Sequence, residues 1–244
     1  MKFNLLSDLH LERDPRNYYR YEFPATAPHL ILAGDIGNVV DRGFEHFLLR
    51  AALSYLMVVF ILGNHEPWGT TLPSAIARCK EISAKAPNLK FLENDMTTID
   101  DTLILGTTLY SYISEEILPS IRRRMADFRY VRDWTTPLYQ KAFSDSVDWL
   151  ENATKGEKIL VVTHYAPVIV GSSHPKYANT LFNSAFGTDL NDRVFWPRVT
   201  AWVYGHTHYN PESRTIDGVK LLTNMRGYEH EMVSNFNASK VFEV

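Results

Sequence analysis

One run of the chain combines an apolar strand with a polar end: Met57-Val58-Val59-Phe60-Ile61-Leu62-Gly63-Asn64-His65-Glu66. Its first six residues are all apolar. An unbroken apolar run of this length is typical of a strand that is buried on both faces of a sheet. Packing gives no reason for asparagine, histidine and glutamate to follow such a strand directly. We therefore predict that this strand ends at a chemically active site.

Four other apolar runs stop at polar residues in the same way. They are Phe3–Leu6 before Asp8 and His10, His29–Ala33 before Asp35, Lys158–Val162 before His164, and Ala201–Tyr204 before His206 and His208. With His65, five of the nine histidines of the chain lie at these strand ends. In α/β sheets, ligands bind beyond the carboxyl ends of the strands, so we expect these polar side chains to meet in one site.

Segments with a helical spacing of apolar residues separate the strands and predict an α/β fold. The predicted helices are Asp41–Ser54, Leu72–Lys85 and Pro137–Asn152. Beyond the last histidine pair the pattern changes to short strands, over Ser213–Ile216, Val219–Thr223 and Lys240–Val244. The dipeptide Asp217-Gly218 favours a hairpin between the first two of these strands.

Length and composition favour one folded domain over residues 1–244. A single hydrophobic core serves up to about 250–300 residues, and 45% of this chain of 244 residues is hydrophobic. The net charge of −3 gives no overall basic field, which disfavours electrostatically driven binding to nucleic acid. The single cysteine, Cys79, excludes an intramolecular disulfide and a cysteine-rich metal module. No apolar run approaches the ~20 residues of a membrane-spanning helix, so we expect a cytoplasmic protein that acts away from membranes.

The residue types at the strand ends suit a pair of transition-metal ions. Imidazole nitrogens together with carboxylate and amide oxygens suit Mn, Fe or Zn, whereas Mg and Ca prefer oxygen ligands alone. Two cations held close together repel each other, and Asp35 is the natural bridging ligand that would relieve this repulsion. A metal pair of this kind clamps a phosphate group and lowers the pKa of a shared water molecule. The sequence therefore predicts a dinuclear site that acts on phosphate esters.

The set of motifs resembles the calcineurin-like metallophosphoesterase superfamily. The motifs, in the family's order, are Asp8-x-His10, Gly34-Asp35, Gly63-Asn64-His65-Glu66, His164 and Gly205-His206-x-His208. Shorter segments, such as Asp127–Arg132, resemble a compact microbial branch of the superfamily that has no settled substrate. The resemblance implies a four-layer α-β-β-α sandwich of two mixed sheets flanked by helices, with the metals at one sheet edge.

The resemblance also implies a role for each residue of the motifs. One metal would take Asp8, His10, Asp35 and His208, and the other would take Asp35, Asn64, His164 and His206. His65 is not a ligand in such proteins but faces the scissile phosphate, where it stabilises developing charge or protonates the leaving group. Glu66 stands where the family more often has aspartate, and either residue can support the loop.

The activity implied is hydrolysis of a small phosphate monoester or diester, such as a nucleotide, by attack of a hydroxide that bridges the metals. A nuclease or a cyclic-nucleotide phosphodiesterase would use the same site, and the lack of a separate nucleic-acid module counts against the nuclease. A non-catalytic metal-binding scaffold of the same fold is the alternative from another class. The presence of His65 together with every expected ligand favours the enzyme.

Four residues are weaker candidates for contacts with the substrate. Asn64 would hold a phosphoryl oxygen beside the metals, and the other three candidates are Arg226, Arg129 and His174. Arg226 follows a predicted strand close to the last ligand pair, and His174 lies in the long loop after His164. Arg129 is one of five arginines within residues 122–132. Contact with a substrate phosphate and a solvated helix face are both open for this group.

Overall fold

The computed structural model describes residues 1–178 and 180–244, and the strands of these residues form two sheets. The first sheet has the order β11 (Val241–Glu243), β1 (Lys2–Leu6), β2 (His29–Ala33), β3 (Met57–Ile61) and β4 (Leu89–Phe91). The second has the order β5 (Asp95–Ile99), β6 (Thr102–Thr107), β7 (Ile159–Thr163), β8 (Ala201–Val203), β10 (Val219–Leu222) and β9 (Arg214–Ile216). Inner strands are parallel, while β11, β5 and β9 are antiparallel to their neighbours, so both sheets are mixed.

Helices cover the outer face of each sheet. In the described residues the α-helices are α1 (Asn17–Arg20), α2 (Arg42–Ser54), α3 (Leu72–Ser83), α4 (Leu118–Arg124), α5 (Asp127–Tyr130) and α6 (Thr136–Ala153). Short 3₁₀ turns cover Leu11–Arg13, Pro175–Tyr177, Leu181–Ala185, Trp196–Arg198 and Glu229–Glu231. The three long helices, α2, α3 and α6, are those that the apolar spacing predicts, with ends that differ by at most two residues.

Alternate side chains of the strands divide between three apolar layers. Phe3 on β1 and Leu160 on β7 pack in the layer between the two sheets. Leu30 on β2 points to the opposite face and packs in the layer that includes α2 and α3. Trp202 on β8 packs with α6 in the third layer. This period of two along each strand gives the four-layer α-β-β-α sandwich that the resemblance implies.

The carboxyl ends of the central strands lie at the same edge of the sandwich. An isolated parallel bridge joins Ser7, just after β1, to Met225, after β10, and so connects the two sheets there. The backbone N–H of His206 donates to the carboxylate of Asp8 across the same junction, at 3.0 Å. The polar strand ends of both sheets therefore meet at one place.

Among the described residues, no helix has both the length and the apolar character needed to cross a lipid bilayer. The extent of the domain over residues 1–244 and the cytoplasmic location stay predictions from the sequence.

Candidate metal centre

Several residues at the strand ends have a left-handed backbone. Their φ values are 55° at Asp8, 48° at His10, 52° at Asp35, 70° at His206 and 47° at His208. Such angles are uncommon outside glycine and store backbone strain, which clusters at functional sites. Backbone hydrogen bonds hold these turns in place, including Asp8 N–H to the Gly34 carbonyl at 3.1 Å and His10 N–H to the Asp35 carbonyl at 3.0 Å.

Asp35 lies at the centre of the site, between potential metal-binding side chains that include His10 and His65 on one side and His164 and His206 on the other. Its Oδ1 atom is 3.4 Å from Nε2 of His164. Its Oδ2 atom is 3.7 Å from Nε2 of His10. The backbone N–H of His65 also donates to Oδ1, at 2.9 Å, and fixes the direction of the carboxylate. The carboxylate therefore presents one oxygen to each group, as a bridging ligand requires.

The first group contains Asp8, His10 and His208, whose potential ligand atoms all lie within 4.8 Å of one another. Nδ1 of His10 donates to Glu12 at 3.1 Å, and Nδ1 of His208 donates to Glu231 at 2.5 Å. Each ring therefore turns its Nε2 atom inward, and the two Nε2 atoms face each other at 3.0 Å. Two nitrogen lone pairs at this distance repel unless a proton or a cation lies with them, so this donor set fits a metal ion.

The second group contains Asp35, His164 and His206, which also lie within 4.8 Å of one another, with Asn64 beside them. Nδ1 of His164 donates to the Ala33 carbonyl at 2.9 Å, so its Nε2 atom faces inward. Oδ1 of Asn64 lies 3.1 Å from that Nε2 atom. The amide of Asn64 is oriented by Asp127, which accepts a hydrogen bond from Nδ2 at 2.9 Å. The mixture of imidazole, carboxylate and amide donors is one that Mn, Fe and Zn accept.

Two histidines of the site have opposite protonation tendencies. Burial, together with the charge of His164, lowers the pKa of His206 to about 3, so its imidazole is neutral and has a free lone pair. Burial alone would lower the pKa of His208, but hydrogen bonds to Asp8 and Glu231 raise it to about 10. A metal ion binds the neutral imidazole, so metal binding at His208 would release a proton.

Glu66 supports the loops that carry Asp35 and Asn64. Its Oε1 atom accepts from the backbone N–H of Ile36 at 2.8 Å. Its Oε2 atom accepts from Gly63 N–H at 2.7 Å and from Asp35 N–H at 3.1 Å. Burial and the negative charge of Asp35 raise the pKa of Glu66 to about 8. The loop-supporting role that the sequence suggests for this glutamate is the one that these contacts give it.

Glycine is required where these loops approach one another most closely. A Cβ atom at Gly63 would lie 2.1 Å from Oδ1 of Asp35, and one at Gly205 would lie 2.2 Å from Oγ of Ser7. Contacts this short would displace the carboxylate or the strand end beside it. The small residues in front of Asn64 and His206 therefore permit the donors to converge.

His65 lies at the border of the centre and is held from three sides. Its Nδ1 atom donates to Oε1 of Glu12 at 3.0 Å, and its Nε2 atom lies 3.2 Å from the hydroxyl of Tyr228. Its ring stacks on Trp68 with a centroid distance of 3.7 Å. Burial opposes the charged form, but the carboxylates of Asp35 and Glu12 raise the pKa of His65 above its ordinary value.

A cavity of about 570 Å³ opens in front of these residues. Asp35, Asn64, His65, His206 and His208 line its polar side. Its apolar side is formed by Ile121, Met125, Phe182 and Phe186. Arg124 also lines the cavity, and its guanidinium lies over the ring of Phe182 at 4.2 Å. The volume is that of a site for a small molecule.

The three weaker candidates for substrate contact lie apart from this cavity in the described residues. Arg226 donates to the Leu9 carbonyl at 3.1 Å. His174 accepts from the backbone N–H of Lys176 at 3.2 Å and caps a 3₁₀ turn. Arg129 lines a second cleft. The arginine that reaches the cavity is Arg124, from the same basic segment.

Sequence reasoning did not identify the residues that orient the proposed ligands and His65. They are Glu12, Asp127, Tyr228 and Glu231. Glu12 follows His10 by two positions, and this spacing was the only local signal available for it. The other three are far along the chain from the side chains that they contact, so only the fold brings them to the site.

The chain is similar to known proteins in sequence and in fold. Residues 1–210 match the model of the calcineurin-like phosphoesterase family, and the chain belongs to that family. A relative, an uncharacterized protein of Acanthamoeba polyphaga mimivirus, is 29% identical over 271 residues, which cover 95% of this chain and 92% of the relative.

Two solved structures have the same fold. The phosphopantetheinyl hydrolase PptH from Mycobacterium tuberculosis superposes with a TM-score of 0.72 at 20% identity, covering 100% of this chain and 95% of that chain. A dimetal phosphatase from Danio rerio superposes with a TM-score of 0.53 at 14% identity, covering 91% of this chain and 86% of that chain. At such low identities the likeness is one of fold.

Proposed function

We propose that this protein is a metal-dependent phosphoesterase that hydrolyses small phosphate monoesters or diesters. The observation that carries the proposal is the position of Asp35, whose two oxygens lie 3.4 Å and 3.7 Å from histidines of two separate groups. A carboxylate shared in this way suits two cations held side by side. Membership of the calcineurin-like phosphoesterase family supports the same activity.

The proposed centre holds two transition-metal ions of the Mn, Fe or Zn class. Asp8, His10, Asp35 and His208 would hold one ion, and Asp35, Asn64, His164 and His206 would hold the other. Bound there, the ions supply positive charge for the phosphoryl oxygens and a water molecule of lowered pKa.

The chain itself supplies the group that assists the leaving oxygen. With Nδ1 of His65 bonded to Glu12, the Nε2 atom is the one that faces the cavity and would donate its proton to the leaving group. Stacking on Trp68 keeps the ring in this orientation. The Tyr228 hydroxyl, 3.2 Å from Nε2, is placed to exchange a hydrogen bond with the same atom.

The form of the cavity supports a small substrate. A phosphate ester would place its phosphoryl group against the donors and its organic part against Ile121, Met125 and Phe186. These apolar walls would exclude water from the leaving group, which strengthens the electrostatic interactions of the site. The presence of His65 favours this enzyme over a metal-binding scaffold of the same fold.

The test is an assay of the purified chain with defined metal content. Protein loaded with manganese should hydrolyse members of a panel of phosphomonoesters and phosphodiesters, and a chelator should abolish the activity. A metal-loaded protein that is inactive on every ester would indicate the scaffold. Full activity without transition metal would exclude the proposed centre.

A further inference from the structure

A second cleft, of about 450 Å³, lies beside the catalytic cavity and is lined by three arginines. The residues that form this arginine cleft are Pro119, Arg122, Arg123, Met125, Phe128 and Arg129. Its arginines come from the end of α4 and from α5, and all three are exposed.

The arginines of this cleft have no carboxylate partners among the residues that the structure describes. Arg129 contacts the ring of Tyr130 at 5.9 Å, and Arg122 and Arg123 make no ion pair in this part of the chain. Arg16 and Arg193, by contrast, form ion pairs with Asp14 and Glu151. The cleft therefore brings together three guanidinium groups, none of which has a carboxylate partner in the described part of the chain.

The arginine cleft adjoins the catalytic cavity, since Met125 lines both spaces. Arg124, which follows Arg123 directly, lines the catalytic cavity instead. One short segment therefore presents cations to two neighbouring spaces. Proposed metal ligands line the catalytic cavity and not the arginine cleft.

We propose that the arginine cleft binds a second phosphate group of the substrate, so that the preferred substrate carries two phosphates joined by a short organic spacer. This proposal rests on the proposed function of the catalytic cavity. One phosphate would lie at the metal ligands, and the other would lie between the guanidinium groups on the far side of Met125. Guanidinium groups suit this role because their planar N–H groups match the oxygens of a phosphate and stay charged at every physiological pH.

The experiment compares two probes that differ by one phosphate, adenosine 3′,5′-bisphosphate and adenosine 5′-monophosphate. Calorimetric titration of the full chain measures the affinity for each, and a kinetic assay with manganese measures kcat and KM. We expect the bisphosphate to bind at least about tenfold more tightly at low salt, with a gain that falls as salt is added. The Arg122→Ala/Arg123→Ala double variant should lose this gain, raise KM for the bisphosphate and leave kcat and the monophosphate values unchanged.

Arg132→Ala is the matched control. Arg132 is exposed and lies in the same basic segment, but it lines a different cleft, with Thr71 and Asp133. It should keep the full preference for the bisphosphate. The Arg122→Lys/Arg123→Lys variant should keep part of it, since lysine retains the charge without the planar fork.

Equal affinity of the wild type for the two probes would overturn the proposal. So would an equal loss in Arg132→Ala, because the preference would then come from the general charge of the segment. A preference that depends on Arg122 and Arg123 in a protein that hydrolyses no ester would support the arginine cleft and contradict the proposed function. Hydrolysis of esters without a preference for the bisphosphate would support the proposed function and contradict the proposal for the arginine cleft.

Discussion

Glu12 and His65 are joined by a hydrogen bond of 3.0 Å between the carboxylate Oε1 atom and the imidazole Nδ1 atom. The same oxygen accepts from Nδ1 of His10 at 3.1 Å. One partly buried carboxylate thus orients both a proposed ligand and the proposed acid. Although burial alone would raise the pKa of Glu12, these two hydrogen bonds lower it to about 2, so the carboxylate stays charged.

The Glu12→Gln variant should therefore be less active while its substrate affinity is preserved. Gln removes the negative charge that holds both imidazole rings in place. Loss of a group that orients a metal ligand typically lowers activity or metal affinity by ~10–100-fold. We expect kcat to fall within that range and KM to change little. Glu229→Gln, which removes an exposed carboxylate, is the control. An unchanged kcat in Glu12→Gln would show that the carboxylate does not position His65.

Asn64 and His65 are adjacent, but we expect substitution of Asn64 to affect metal binding and substitution of His65 to affect kcat. Asn64→Ala removes the amide oxygen 3.1 Å from His164 Nε2 and should weaken metal binding. His65→Asn should keep two metals and lose ~10²–10⁴ in kcat, the usual range for a positioned acid. The loss should shrink for a substrate with a good leaving group, which needs no proton. The measurements are metal stoichiometry and kcat for both variants. If His65→Asn loses metal and Asn64→Ala keeps it, the two roles are reversed.

Asp35 should be the residue whose loss empties the centre. Because its two oxygens face different groups, Asp35→Ala should lose both metals, whereas His10→Ala should lose mainly one. Dialysis against chelator should remove metal and activity from the wild type, and manganese should restore them. Elemental analysis of the three proteins is the measurement. Equal retention of metal by the two variants would contradict a bridging role for Asp35.

Glu93, away from the centre, should make stability depend on pH. Burial raises its pKa from 4.5 to about 7, against hydrogen bonds from Thr107 and Thr108. The folded state thus keeps a proton that the unfolded chain has already released, so stability is greatest below the unfolded pKa and declines as pH rises through the folded one. The free energy of unfolding should fall by roughly 3 kcal/mol at most.

Urea unfolding at about pH 5 and about pH 8 measures this effect. Glu93→Gln should reduce the difference in unfolding free energy between the two pH values. Glu157→Gln, at an exposed position, should leave it as in the wild type. If Glu93→Gln has the wild-type pH dependence, another group is responsible.

The sequence predicted best the elements that are long or buried on both faces. The apolar runs predicted β1, β2, β3, β7 and β8. The turn Asp217-Gly218, with φ of 47° and 89°, joins β9 and β10 as the hairpin signal predicts. The runs missed β4, which has three residues, and β6, although β6 is a six-residue inner strand. They also missed β5, whose sequence Asp-Met-Thr-Thr-Ile is mostly polar because it is an edge strand.

The candidate site shows the same division between local and long-range information. Each proposed ligand lies within five residues of the end of a strand, so its place could be inferred from local sequence. Local sequence does not show that Arg124 and Asp127 line the cavity and that Arg129 does not. The turn between α4 and α5 decides which of these side chains face the cavity. The orienting residues Tyr228 and Glu231 depend on the loop after β10, which lies against the segment that follows β1, and no local pattern specifies this contact.

The donors of the centre come from both sheets, and this has a consequence for the lifetime of the protein in a cell. Asp35 follows a strand of the first sheet and His164 a strand of the second, so an ion bound to both acts as a cross-link between the layers. Ions that bind only the assembled state stabilise it by mass action. We expect metal-starved chains to open between the sheets more often and to be degraded faster. Protease digestion with and without manganese would measure how far metal supply sets abundance as well as activity.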